Sequence, residues 1–391
     1  MGSIYGLAAV LIIFEGIIIQ CECAGDETST KRIKKDRIYL PTDVIEAIFS
    51  QLDFETIQKA LESGLVRPTD PVMRKQLQTC IIQISKDINR GIFEKNELGE
   101  IFLNFGNYQR LKPFFDTFGH QVKKIQIVYS SNSNTAPHYE FNQNIIKEYA
   151  KNFKELRIET QNDIGFWEEI SDGQNDTVFS EVTKLQITGD SLRKDFKLKS
   201  IFPKLESLKL FGYIADANCL ANVETLKKLT LLSKSIKEHQ FDHIFRNNKN
   251  MIKLHLSNPD ELKTIHSIAT HLTELKILEV EMPGEKFLFR ENNNAVCKVP
   301  SVAHLIISFY HLFPIRDLSF EMPNLTRLTL KDVRPDYQVA NFINNFAKLK
   351  ILEIFYTNYE AEMEIIKPTW TLTHEVQIGT GLEYLKFRRN L

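Results

Sequence analysis

Leu205–Leu210 reads LESLKL, and Leu226–Leu231 restates it as LKKLTL. Apolar residues stand at the first, fourth and sixth places, so the last two alternate around one polar residue. That is the period-2 signature of a strand with one buried and one open face. The phrase recurs upstream as VKKIQI at Val122, FKELRI at Phe153 and VTKLQI at Val182. Downstream it returns as MIKLHL at Met251, LKILEV at Leu275, VAHLII at Val302, LTRLTL at Leu325, LKILEI at Leu349 and LEYLKF at Leu382. From Ile125 to Leu385 the central positions advance 260 residues in ten steps, about 26 per step, inside the roughly 20 to 29 of short strand-and-helix repeats. Between the phrases the period changes. DYQVANFINNFAKL places Val339, Phe342, Ile343 and Phe346 on one helical side, and ELKTIHSIATHL does the same with Leu262, Ile265, Ile268 and Leu272. One strand plus one helix cannot bury its own apolar face, so such units must stack.

On these phrases, residues 121–391 resemble the leucine-rich repeat family. The resemblance implies an α/β solenoid, with a curved parallel sheet and outer helices. One departure is consistent: where the family places Asn or Cys, three residues past the phrase, this chain has Tyr213, Lys234, Pro259 and Val333. The side-chain ladder that this column normally supplies must have a substitute.

The outward residue inside each strand forms a row: Gln126, Arg157, Gln186, Lys209, Thr230, His255, Glu279, Ile306, Thr329, Glu353 and Lys386. A second row, two residues on, adds Phe211, Leu232, Phe355 and Arg388. Charges of both signs mixed with large apolar groups suit protein recognition better than a phosphate backbone. Arg157, Lys209, Phe211, His255, Glu279, Glu353, Phe355 and Lys386 are the candidate ligand-binding residues of the concave face; the bland alternative is that they are solvated strand residues.

The amino-terminal part has another character. Pro41 suits a first helical position, where the missing N–H costs nothing, and Val44, Ile45, Ile48, Phe49 and Leu52 follow on one stripe. Asp53 suits the cap of a second helix ending at Gly64, and a third is expected from Asp70–Pro71 through Leu77, Cys80, Ile81, Ile84 and Ile88. Leu40–Pro41, Ile45, Ile48–Phe49 and Leu52–Asp53 resemble the first half of the F-box. The second half, LVRPTDPVMRKQLQTC, lacks that family's Val-Cys and Trp. The resemblance implies that Leu40, Pro41, Ile45, Ile48, Phe49 and Leu52 bind the Skp-type adaptor of an SCF ubiquitin ligase while the repeats hold a protein substrate. The alternative is that the helices only cap the solenoid. The expected organisation is a hydrophobic leader at 1–24, a basic linker at 25–37, an F-box-like all-α unit at 38–90, a helical connection at 91–120 and the repeats beyond.

The leader, Ile4 to Ile19, is interrupted by Glu15 and followed by Lys31, Arg32, Lys34, Lys35 and Arg37. Retained, it tethers the chain to a membrane with everything after it in the cytosol. Cleaved near Ala24, it makes the alternative: a secreted or cell-surface binding protein, for which Asn175 and Asn324 are glycosylation triplets. Five cysteines without paired spacing lean toward a reducing compartment and a cytoplasmic location. The 49 basic residues against 50 acidic ones imply no general affinity for nucleic acid. No catalytic, metal or cofactor constellation stands out. His239 and His243 share a helix side without a third ligand, and the glycines of IGTGLE lack the rest of a dinucleotide loop. The sequence therefore reads as a non-enzymatic interaction protein with no cofactor.

Overall fold

Every copy of the six-residue phrase ends in a strand. The computed structural model describes residues 77–85, 93–96, 100–105, 108–129, 144, 146–160, 177–189, 196–212, 217–232, 236, 238–257, 262–282, 297–309, 320–332, 337–357, 370–378 and 382–389. They fall in two compact units, Met1–Val128 and Tyr129–Leu391.

In the first unit, β1 (Ile81–Ser85) runs parallel to both β3 (Ile101–Phe105) and β4 (Lys124–Tyr129), while β2 (Phe93–Lys95) is antiparallel to β3. Helix α1 (Tyr108–Phe118) links β3 to β4 and buries Leu111, Phe114, Phe115 and Phe118. Two sequence expectations change here. The third helix does not continue through Ile81 and Ile84, and residues 91–120 are not wholly helical. Ile81, Ile82 and Ile84 are at most 2% exposed while Gln83 is half-buried, and β1 sits between two neighbours. Leu77, Ile81, Ile84 and Ile88 fit helical spacing, but Ile82-Gln83-Ile84-Ser85 also alternates, and β-branched isoleucine tips the run to strand. The box residues Leu40, Pro41, Ile45, Ile48, Phe49 and Leu52, and the leader, lie outside the described residues.

The second unit is a mostly parallel, open α/β sheet. Its strands are β5 (Glu155–Thr160), β6 (Lys184–Thr188), β7 (Ser207–Phe211), β8 (Lys228–Leu231), β9 (Lys253–Ser257), β10 (Ile277–Met282), β12 (His304–Phe309), β14 (Arg327–Lys331) and β15 (Ile351–Thr357). They pair in that order, all parallel. Two short strands, β11 (Cys297–Lys298) and β13 (Phe320–Glu321), pair with each other apart from the main sheet. Helices α2 (Leu198–Ile201), α3 (Asn218–Ala221), α4 (Glu238–Asn247), α5 (Leu262–His271) and α6 (Tyr337–Asn344) alternate with the strands. Each repeat buries the apolar places of its phrase together with one residue three places upstream, as in Phe202, Leu205, Leu208 and Leu210. Phe179 and Phe202 fill that upstream place in adjacent repeats and stack at 5.1 Å. Val339, Phe342, Ile343 and Phe346 are buried as the helical spacing expects.

The last copy breaks the pattern. β17 (Leu382–Arg389) pairs antiparallel with β15 and with β16 (Trp370–Ile378). A parallel return needs a crossover of a dozen or more residues, whereas a strand arriving from its hairpin partner must come back antiparallel. The array therefore ends in a hairpin. Arg389 fastens it: its guanidinium lies 5.8 Å from the ring centre of buried Trp370 and donates to the carbonyls of Phe346 at 3.0 Å and Ala347 at 3.1 Å.

A main-chain ladder crosses the strand entrances, while Tyr213, Lys234, Pro259 and Val333 lie outside the described residues. Just before each strand one carbonyl accepts two N–H groups from the next repeat. Thr183 and Lys184 donate to Lys154, Glu206 and Ser207 to Thr183, and Lys227 and Lys228 to Glu206. The series goes on through the carbonyls of Lys227, Ile252, Lys276, Ala303 and Thr326, with N···O distances of 2.7 to 3.1 Å throughout. Two donors on one carbonyl satisfy the polar groups at every strand entrance without a side chain.

Candidate recognition surface

Strand alternation turns one face of each strand to the core and leaves the other polar. On that polar face the expected row is continuous. Arg157, Gln186, Lys209, Thr230, His255, Glu279, Ile306, Thr329, Glu353 and Lys386 are successive cross-strand partners from β5 to β17. Six of the eight candidate ligand residues thus stand in one line. Gln126, on β4 of the other unit, stands opposite Gln83 of β1. Phe211 and Phe355 lie two residues on, in a parallel line. Arg388 does not join them: because β17 is antiparallel, it stands opposite Ile351, and Tyr384 takes the place beside Phe355, ring centres 4.7 Å apart.

Three carboxylates are sunk into this face. Glu353, with a side chain 5% exposed, accepts Nε and Nη2 of Arg327 at 2.8 and 2.7 Å, Thr329 Oγ1 at 2.9 Å and Tyr384 OH at 2.9 Å. Burial alone would raise this carboxyl; the donors from Arg327, Tyr384 and Thr329 outweigh it and hold Glu353 below its usual range. Burial and the Glu353 hydrogen bond push Tyr384 up to about 12. Glu279 takes Lys331 Nζ at 3.0 Å, with Lys253 at 3.4 Å and His255 Nδ1 at 3.7 Å. Against burial, His255 and the two lysines hold this carboxyl low as well. On β5, Glu155 accepts Arg157 Nε at 2.7 Å.

Proton counting fixes one tautomer. Thr329 has a single hydroxyl proton, and the Glu353 carboxylate only accepts, so the proton points to Glu353. His304 Nε2, 2.9 Å from Thr329 Oγ1, must then be the donor. Burial and the Arg327 charge push the ring's pKa down to about 4, so near pH 7 it is neutral with its proton on Nε2. His255, whose Nε2 is 3.0 Å from Glu281 Oε1, is likewise lowered, by burial against the pull of Glu279 and Glu281.

Reading the sequence one row at a time missed Lys253, Glu281, His304, Arg327, Lys331 and Tyr384. Each stands two places from a row residue on its own strand, so the period-2 rule carried to the next position would have found them. It would not have found their pairings. Lys331 on β14 reaches over β12 to Glu279 on β10, 52 residues away in sequence.

Elsewhere the chemistry is structural. His243 is exposed and its Nδ1 is 3.2 Å from Asn218 Oδ1. Ser267 Oγ and His271 Nε2 both address Asp242 Oδ1, at 3.0 and 2.9 Å. Ser and His compete there for one acceptor, which is a helix-to-helix tie and not a Ser–His relay. Cys80 is buried, and burial pushes its thiol up to about 12, so it carries no reactive thiolate. Among the described residues no group of three or more His, Cys, Asp or Glu is placed to hold a metal ion, and no helix is long and apolar enough to cross a membrane.

No protein-family model matches the chain, and no curated protein matches it.

Proposed function

We propose that the chain is a non-enzymatic interaction receptor, a leucine-rich repeat solenoid that holds a protein substrate on its open sheet face. The observation that carries this reading is the in-register line from Arg157 to Lys386, mostly polar and mixed in sign, on the face turned away from the core. Glu279, Ile306, Thr329 and Glu353 are buried within it, and Arg157, Gln186, Lys209, Thr230, His255 and Lys386 are the exposed and half-buried members; such side chains fixed on rigid strands make a pre-ordered recognition surface. In the same reading the F-box-like stretch from Leu40 to Leu52 docks a Skp-type adaptor, so that bound substrate is presented to an SCF ubiquitin ligase. The support for that half is the set of apolar anchors and the order of box before repeats. The test is capture of the adaptor by the full chain and by an Ile48→Asp, Phe49→Asp variant. The wild type is expected to retain adaptor and the variant to lose it; equal recovery, or recovery from neither, refutes the docking half.

A second reading rests on the apolar leader at Ile4 to Ile19: a secreted or cell-surface repeat protein whose first helices only cap the array. Mature protein beginning near Ala24 with sugar on Asn175 would establish it. At Asn324 the side-chain amide is already engaged. Its Nδ2 donates to the Pro300 carbonyl at 2.9 Å while its Oδ1 accepts from Lys348 at 2.9 Å.

A further inference from the structure

Several lysines away from the polar face are paired with a neighbouring acid: Lys199 with Glu224 at 3.0 Å, Lys227 with Glu206 at 2.7 Å, Lys298 with Glu321 at 2.8 Å, and Lys204 with Glu181. On the polar face of β6 to β9 lysines are gathered without dedicated acids. Lys184, Ser207, Lys228 and Lys253 are consecutive cross-strand neighbours, and Lys209 stands two residues past Ser207 on the same face. Lys209 and Lys228 are exposed and have no acidic partner among the described residues. Lys184, 62% exposed, is 3.7 Å from Glu155, whose nearer partner is Arg157. Lys253 shares Glu279 with the closer Lys331. Four like charges on adjacent strands repel one another. Beside the field, Phe211 and Leu232 are half-buried and offer apolar contact.

We propose that this lysine field seats an extended, Asp/Glu-rich polypeptide segment of the bound protein. At roughly 4.8 Å between strands the field spans about 14 Å from β6 to β9, the reach of four or five extended residues at about 3.4 Å each. Glu159 on β5 and Glu281 on β10 bound it on either side, so it suits a short anionic run flanked by apolar residues, not a continuous polyanion such as nucleic acid. The inference rests on the reading of the sheet face as the recognition surface.

The test is fluorescence anisotropy of a labelled oligoglutamate peptide with the full chain, in low salt and in high salt. Binding is expected to weaken as salt rises. The Lys209→Glu, Lys228→Glu double variant is expected to weaken it about tenfold or more, since opposed like charges cost more than the roughly 1.4 kcal/mol behind a factor of ten. Lys199→Glu, on α2, leaves it unchanged. Should the reversal disturb the fold, judged by circular dichroism, Lys209→Gln and Lys228→Gln remove charge without adding any, and each is expected to lose about threefold. No binding by the wild type, equal binding by the neutral variants, or tighter binding of oligothymidylate than of oligoglutamate overturns the inference. Adaptor capture is read separately. Captured adaptor with no peptide binding faults this inference alone, and peptide binding without adaptor faults only the docking half of the proposed function.

Discussion

His304 shows how one ring is held neutral by its neighbours. Its Nε2 proton is committed to Thr329, the hydroxyl proton of Thr329 to Glu353, and the carboxylate of Glu353 to Arg327 and Tyr384. Three groups in this patch titrate low in the folded chain: His304 near 4 instead of 6.5, and Glu279 and Glu353 below their usual range. For each, the unfolded chain binds protons first as pH falls, so acid weakens the fold. The His304 share is complete above about pH 6.5 and is lost between there and about pH 4; the carboxylates follow below the ordinary carboxylate range. His304→Gln should flatten the fall in urea midpoint between pH 7 and pH 4.5 relative to wild type, by no more than about 1.4 kcal/mol per pH unit, the slope of one proton. An unchanged slope would refute this account. At this scale, position was legible in the sequence and partnership was not. Alternation placed Glu279 and Glu353 on the polar face, but the cations that hold them come from strands far along the chain, and only the register brings them near.

Elements were legible where two signals agreed. A phrase with fixed apolar places marked every parallel strand of the array and β17, though not β16, and 3.6-residue spacing marked α6, because each local pattern matches the face that tertiary packing buries. β1 was misread because Leu77, Ile81, Ile84 and Ile88 also fit helical spacing, which hid the short alternation Ile82-Gln83-Ile84-Ser85. The direction of β17 was illegible for a different reason: LEYLKF alternates identically whether its strand runs parallel or antiparallel. What joins element to element in most repeats is an apolar residue three places before the phrase, with buried Asn248 in that place before Met251. Phe202, fully buried, stacks on Phe179 of the preceding repeat. Phe202→Ala removes both the ring and that inter-repeat contact, and should cost about 3 to 5 kcal/mol in chemical denaturation. A loss under about 1 kcal/mol would mean that the repeats are not coupled through this position.

In the array as a whole each repeat touches its neighbours, so stability accumulates from repeat to repeat and the ends need sealing. The β16–β17 hairpin is the seal at the carboxyl end of the second unit, fastened by Arg389 to the carbonyls of Phe346 and Ala347. Removing residues 370–391 would uncover β15, a strand carrying Leu352 and Ile354 on its core side, and an uncovered edge invites pairing with other chains. The truncated chain is expected to form higher oligomers in size-exclusion chromatography with light scattering; a monodisperse species matching the full chain would refute this. The ladder at the strand entrances has a further consequence. Its rungs are peptide carbonyls and amides, identical whatever residue carries them. The pitch of the array is therefore indifferent to the side chains displayed on it. Residues such as Lys209 or Thr230 can be exchanged one strand at a time with the spacing between positions preserved, and the surface behaves as a rack of interchangeable reading heads on a fixed rail.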